Sequence, residues 1–78
     1  MKTVYLFFAA RRYWKNEAEL QAAYRKLSAL AGNAEHFLIT ESDPDMTVSA
    51  DCAVLIPMSG AIQKRILAAA AQYETTVL

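Results

Sequence analysis

Val4-Tyr5-Leu6-Phe7-Phe8-Ala9-Ala10 carries no charge and does not alternate. A strand with one wet face alternates apolar and polar residues, whereas a strand covered on both faces does not. The run therefore reads as a strand of a parallel sheet sandwiched between helices. It is far too short to span a membrane. It also lacks the longer apolar core and small-residue cleavage site of a secretory signal, because Arg11-Arg12 follow it directly.

Working outward, Asn16 with Glu19 three residues later has the form of a capping box. Leu20, Ala23, Tyr24, Leu27, Leu30 and Ala31 then fall on one helical face. Arg25 and Lys26 come late in that helix, where cations suit the dipole, and Gly32-Asn33 reads as its left-handed stop. His36 to Thr40 is the second strand, followed by the turn Glu41-Ser42-Asp43-Pro44-Asp45. Met46 to Ala50 crosses over without a clear helical pattern. The crossover is barely the dozen or so residues that a parallel connection needs. Cys52 to Ile56 is the third strand, and Pro57 ends it. Met58-Ser59-Gly60 turns into a second helix from Ala61 to about Tyr73. Ile62, Ile66, Ala69, Ala70 and Tyr73 form its inner stripe, with Lys64, Arg65 and Gln72 toward water. Thr75-Thr76-Val77-Leu78 reads as a fourth, buried strand.

This alternation defines an α/β class: a Rossmann-like or flavodoxin-like half, with a parallel sheet of about four strands in the order 2-1-3-4 and two main helices. Residues 1–78 make a single α/β domain. Ending on a strand, it reads as the N-terminal part of a larger protein or as one piece of an assembly.

Composition points the same way. A 78-residue chain that is 55% hydrophobic buries only about 60% of its unfolded surface. Alanine accounts for part of that excess. The remainder suits an apolar face meant for another subunit, so a homo-oligomer is the expected partner. Formal net charge is zero and the eight basic residues are scattered, which argues against nucleic acid or an anionic membrane surface as partners. One cysteine cannot form an internal disulfide, so a reducing, cytoplasmic setting is the expectation.

In an open parallel sheet, ligands bind beyond the carboxyl ends of the strands, where the strand order reverses. Arg11-Arg12-Tyr13-Trp14, Glu41-Ser42-Asp43 and Met58-Ser59-Gly60 should converge there. Ser59 and Gly60 would open a helix whose amides favour an anion or a hydroxyl; equally, they form an ordinary N-cap. Arg11 and Arg12 offer guanidinium forks, and Trp14 and Tyr13 offer rings that stack on sugars. The same four residues also suit packing or an interface. Asp43 and Asp45 have the oxygen ligands for a divalent cation, but turn chemistry around Pro44 explains them as well. His36 and Cys52 begin strands and belong to the opposite edge; Cys52 reads as a small core residue. There is no G-x-x-x-x-G-K-[ST] loop and no G-x-G-x-x-G. No cysteine follows the first strand, and the acids of a receiver domain are missing after strands one and three.

The segment Ala53-Val54-Leu55-Ile56-Pro57-Met58-Ser59-Gly60-Ala61-Ile62-Gln63, with the alanine-rich helix and Thr76-Val77-Leu78 beyond it, resembles the N-terminal domain of the L-fucose and L-arabinose isomerase-like family. The clear match covers about a third of the chain. The resemblance implies a domain that contributes subunit contacts and borders a sugar pocket, without activity alone. Ser59 and Gly60 would then lie nearest the ligand. It also implies that a divalent metal such as manganese is bound by later domains, so this chain itself calls for no cofactor. Two alternatives stand beside it. One is a small non-catalytic ligand-binding or oligomerising domain that uses the arginine–aromatic loop. The other is an enzyme like the nucleoside deoxyribosyltransferases, against which the second helix offers no acid before Glu74.

Overall fold

The apolar run does become the centre of a parallel sheet. A computed structural model describes residues 2–43, 48–58 and 63–77. Strand β1 (Thr3–Ala9) pairs in parallel with β2 (Glu35–Thr40) on one side and β3 (Cys52–Pro57) on the other, and β4 (Glu74–Val77) adds to β3. The order is β2-β1-β3-β4.

Side chains of a strand alternate between faces, and here each face has a helix. Val4, Leu6 and Phe8 join Ile39, Ala53 and Leu55 in one buried cluster with Ile66 of helix α2 (Gln63–Gln72). Phe7 points the other way. Its ring meets Tyr24 of helix α1 (Glu17–Leu27) edge-on, with centroids 5.4 Å apart. The two helices therefore lie on opposite faces, and Val4, Phe7 and Ala9 are wholly buried.

Local chemistry sets the helix ends. The Asn16 side chain accepts a hydrogen bond from the Glu19 amide at 2.8 Å, as an N-cap should. After Leu27 the helix tightens into a 3-10 turn over Ser28–Ala31. Each residue now advances about 120° instead of 100°. Ala31 is thereby turned inward, while Leu30 is 56% exposed, which corrects the expectation that Leu30 lies on the inner stripe. Gly32 follows with φ +58°, and a Cβ there would meet nothing within 4 Å. The glycine is required by the backbone conformation and not by lack of space.

Ile66 is buried and Ala69 and Ala70 are half-buried, as the α2 stripe requires. Ala61 and Ile62 lie outside the described residues. Arg65 departs from its expected place in water. Its Nη1 donates to the backbone carbonyls of Thr40, at 3.0 Å, and Asp43. A long aliphatic stem lets the guanidinium reach across the sheet end from a position that helical spacing puts outside.

The connection from β2 to β3 has no helix among the described residues. Tyr73, just past α2, holds it: the hydroxyl donates to the Val48 carbonyl at 2.9 Å and accepts from the Val48 amide at 3.1 Å. The entry to β3 is tied to the chain start, where the Asp51 and Cys52 amides both donate to the Lys2 carbonyl. Cys52 is half-buried rather than a core residue, and its Sγ lies 3.0 Å from the Thr3 hydroxyl oxygen.

Candidate functional site

Two of the three expected loops meet at the carboxyl end of the sheet. After β1 the chain makes a 3-10 turn over Arg11–Tyr13. The Arg11 amide donates to both carboxylate oxygens of Glu41, at 3.1 and 3.0 Å. The Arg11 guanidinium pairs with Glu17 at the start of α1, and its Nε reaches the Thr40 hydroxyl at 3.4 Å. Arg11 thus ties β1, α1 and β2 together. Arg12 is exposed; its guanidinium lies 5.0 Å from the centre of the Tyr13 ring and donates to the Tyr13 hydroxyl. That hydrogen bond holds the Arg12 pKa above its ordinary value. Trp14 is half-buried, and its indole Nε1 is buried without a hydrogen-bond partner. Ser59 and Gly60 lie outside the described residues. Met58, just before them, donates its amide to the Phe8 carbonyl at 2.8 Å.

Thr40 is the hub of this edge and the one buried polar residue among those described. Its hydroxyl donates to the Asp43 carboxylate and accepts from the Ser42 amide. Its amide also donates to Asp43, at 2.7 Å. Asp43 therefore spends its carboxylate on the turn, as Asx chemistry requires. Asp45 lies outside the described residues. With Arg11 above and Arg65 below, Thr40 receives a guanidinium from each face of the sheet.

A second feature lies on the α2 face. A cleft of about 410 Å³ runs between α2 and strands β1 and β2. Leu6, Phe8 and Ile39 form its floor, Val48 and the Tyr73 ring one wall, and Ala68 and Ala69 the helix side. The exposed Lys64 and Gln72 stand along the rim, and the half-buried Arg65 also lines the cleft. Its size falls at the lower end of ordinary ligand clefts, about 300–1,000 Å³. Two features of the chain create it: the helix-free crossover leaves this face with α2 as its only helix among the described residues, and α2 presents methyl groups where longer side chains would fill the space. Sequence reasoning placed the site on the carboxyl edge and missed this cleft. The readable signal was the conjunction of the alanine run 68–71 with the helix-free segment before β3.

The amino edge carries a different pair. The Tyr24 hydroxyl lies 2.5 Å from His36 Nδ1, and the two rings are 5.5 Å apart. Burial raises the Tyr24 pKa above 10.0. His36 thus packs against α1 at the edge opposite the converging loops. No helix among the described residues is long and apolar enough to cross a membrane.

Comparison of the chain with protein-family models, curated proteins and solved structures gives no match.

Proposed function

We propose that this chain is a small-molecule-binding α/β domain whose ligand sits in the cleft between α2 and strands β1 and β2. One observation carries this reading: a cavity of about 410 Å³ has an apolar floor of sheet residues and only a few polar side chains, Lys64, Arg65, Gln72 and Tyr73, among those lining it. Ligand sites combine a mostly apolar lining with a few placed polar groups in this way. A fragment library followed by NMR tests it. Chemical-shift changes that cluster on Leu6, Ile39, Val48 and Ala69 support the cleft. Changes that cluster on Arg11, Trp14 and Met58 move the site to the carboxyl edge.

The second reading is the N-terminal domain of a sugar isomerase-like protein, self-associating and bordering a sugar pocket with Arg11, Arg12, Trp14, Ser59 and Gly60. What favours it is the unpaired, buried indole N–H of Trp14. An unsatisfied buried donor costs about 1–3 kcal/mol, and a sugar hydroxyl seated on the loop would satisfy it. On this reading the parent protein's metal is held elsewhere. The intact mass of the natural gene product separates the two: a mass near 8.7 kDa counts against the isomerase reading, and a much larger one supports it.

A further inference from the structure

The cleft also carries information about what it would hold. This inference rests on the reading of the cleft as the binding site. Its two charged lining residues, Lys64 and Arg65, are both cations, and among the described residues no carboxylate lines it. The nearest described acid at that end, Asp43, has its carboxylate engaged by the Thr40 amide and hydroxyl. Lys64 is exposed and has no ion pair among the described residues. The Tyr73 hydroxyl is occupied on both sides by the Val48 backbone, so Tyr73 offers its ring to a ligand and not its polar end. An apolar floor with the exposed Lys64 ammonium at one rim is complementary to a molecule of matching polarity.

We infer that the cleft takes a small amphiphile with a hydrocarbon or aryl body and one terminal anionic group. The body lies over Leu6, Phe8 and Ile39, and the anion pairs with the Lys64 ammonium. Ala68 and Ala69 set the width of the body.

Titration of the full chain with octanoate, octan-1-ol and octylammonium, read by methyl and amide NMR shifts, tests this. Octanoate is expected to shift the Leu6 and Ile39 methyls together with the Lys64 and Gln72 amides. An ion pair at an exposed lysine should give octanoate about a threefold to fivefold tighter Kd than octanol at low salt, and the margin should shrink as salt screens it. Lys64→Met keeps the aliphatic stem and removes the charge, so it should abolish the margin of octanoate over octanol. Ala68→Leu should weaken both, and since Ala68 is exposed the variant should still fold. Octylammonium binding as tightly as octanoate, or a margin that survives Lys64→Met, would overturn the anionic assignment while leaving the cleft in place. If none of the three ligands shifts Leu6 or Ile39, both the assignment and the cleft reading fail.

Discussion

Strand β1 is covered on both of its faces, but by different means. On the α1 face, Phe7 is closed off by rings: Tyr24 at 5.4 Å and His36 at 6.3 Å, both edge-on. On the α2 face, Leu6 and Phe8 are covered by Ile66, alanines, a lone tyrosine and a length of irregular backbone. Edge-on rings close over Phe7, while methyl groups and loop leave a cleft over Leu6 and Phe8. The lesson is that an unbroken apolar strand announces cover on both sides without saying how tight that cover is. The looser face is where a ligand has space.

The largest expected effect breaks the tight face. Phe7→Ala removes a ring that is wholly buried, with a cost of about 3–5 kcal/mol. That is a large part of the stability of any domain this small, so denaturant unfolding should show the variant mostly unfolded. A variant that stays as stable as the wild type would show that the two faces are packed alike. On the loose face, Tyr73→Phe keeps the wall of the cleft but frees the Val48 amide and carbonyl. The expected loss is about 1–3 kcal/mol, with hydrogen exchange accelerating at Val48 and the residues after it. Unchanged exchange would mean that the crossover is held by something other than the tyrosine.

Asn16→Ala should cost about 1 kcal/mol and act on the α1 side alone. Chemical shifts around the cleft should stay in place; movement there would show that the two faces are coupled. Self-association is a weaker handle. Both edge strands, β2 and β4, end their ladders unpaired within the described chain and can pair with another copy. Sedimentation at high concentration should show a dimer or larger species, and a monomer throughout would discard the oligomer.

The smallest effect concerns pH. Burial favours the neutral Tyr24 phenol, so its folded pKa lies above the unfolded value. The folded state then holds this proton more tightly. The stability it contributes is complete below about pH 10 and falls away as pH rises through the raised folded value. Tyr24→Phe should flatten that alkaline decline, and stability curves of equal slope in both proteins would remove Tyr24 as its source.

The strand order and the assignment of helices to faces were legible in the sequence because they follow from periodicity and from the short connections. So was the meeting of the first two loops, which needs only parallel strands of similar length. Three features were not legible. Leu30 is exposed because the last turn changes its twist, and residue spacing records an average helix. Arg65 reaches the end of β2 because its stem is long, and a helical wheel records only where the Cα sits. The cleft arises from what is small or missing, namely the methyl groups of Ala68 and Ala69 and a crossover without a helix. Patterns built on hydrophobic residues do not register empty volume.

The ladder that centres on β1 also governs how the chain must fold. Val4 pairs with Glu35, Thr3 with Cys52, and Cys52 with Glu74. No two strands are joined by a hairpin, so each pairing closes a loop of roughly twenty to fifty residues before any contact repays it. Only the helices α1 and α2 can form from local contacts. The β1–β3 pairing closes the longest of these loops, and an all-parallel topology of this kind folds slowly for its size. During synthesis β1, the most apolar segment of the chain, leaves the ribosome before the other three strands, yet it must wait for β3 before it is enclosed. That interval is when the protein is most exposed to aggregation.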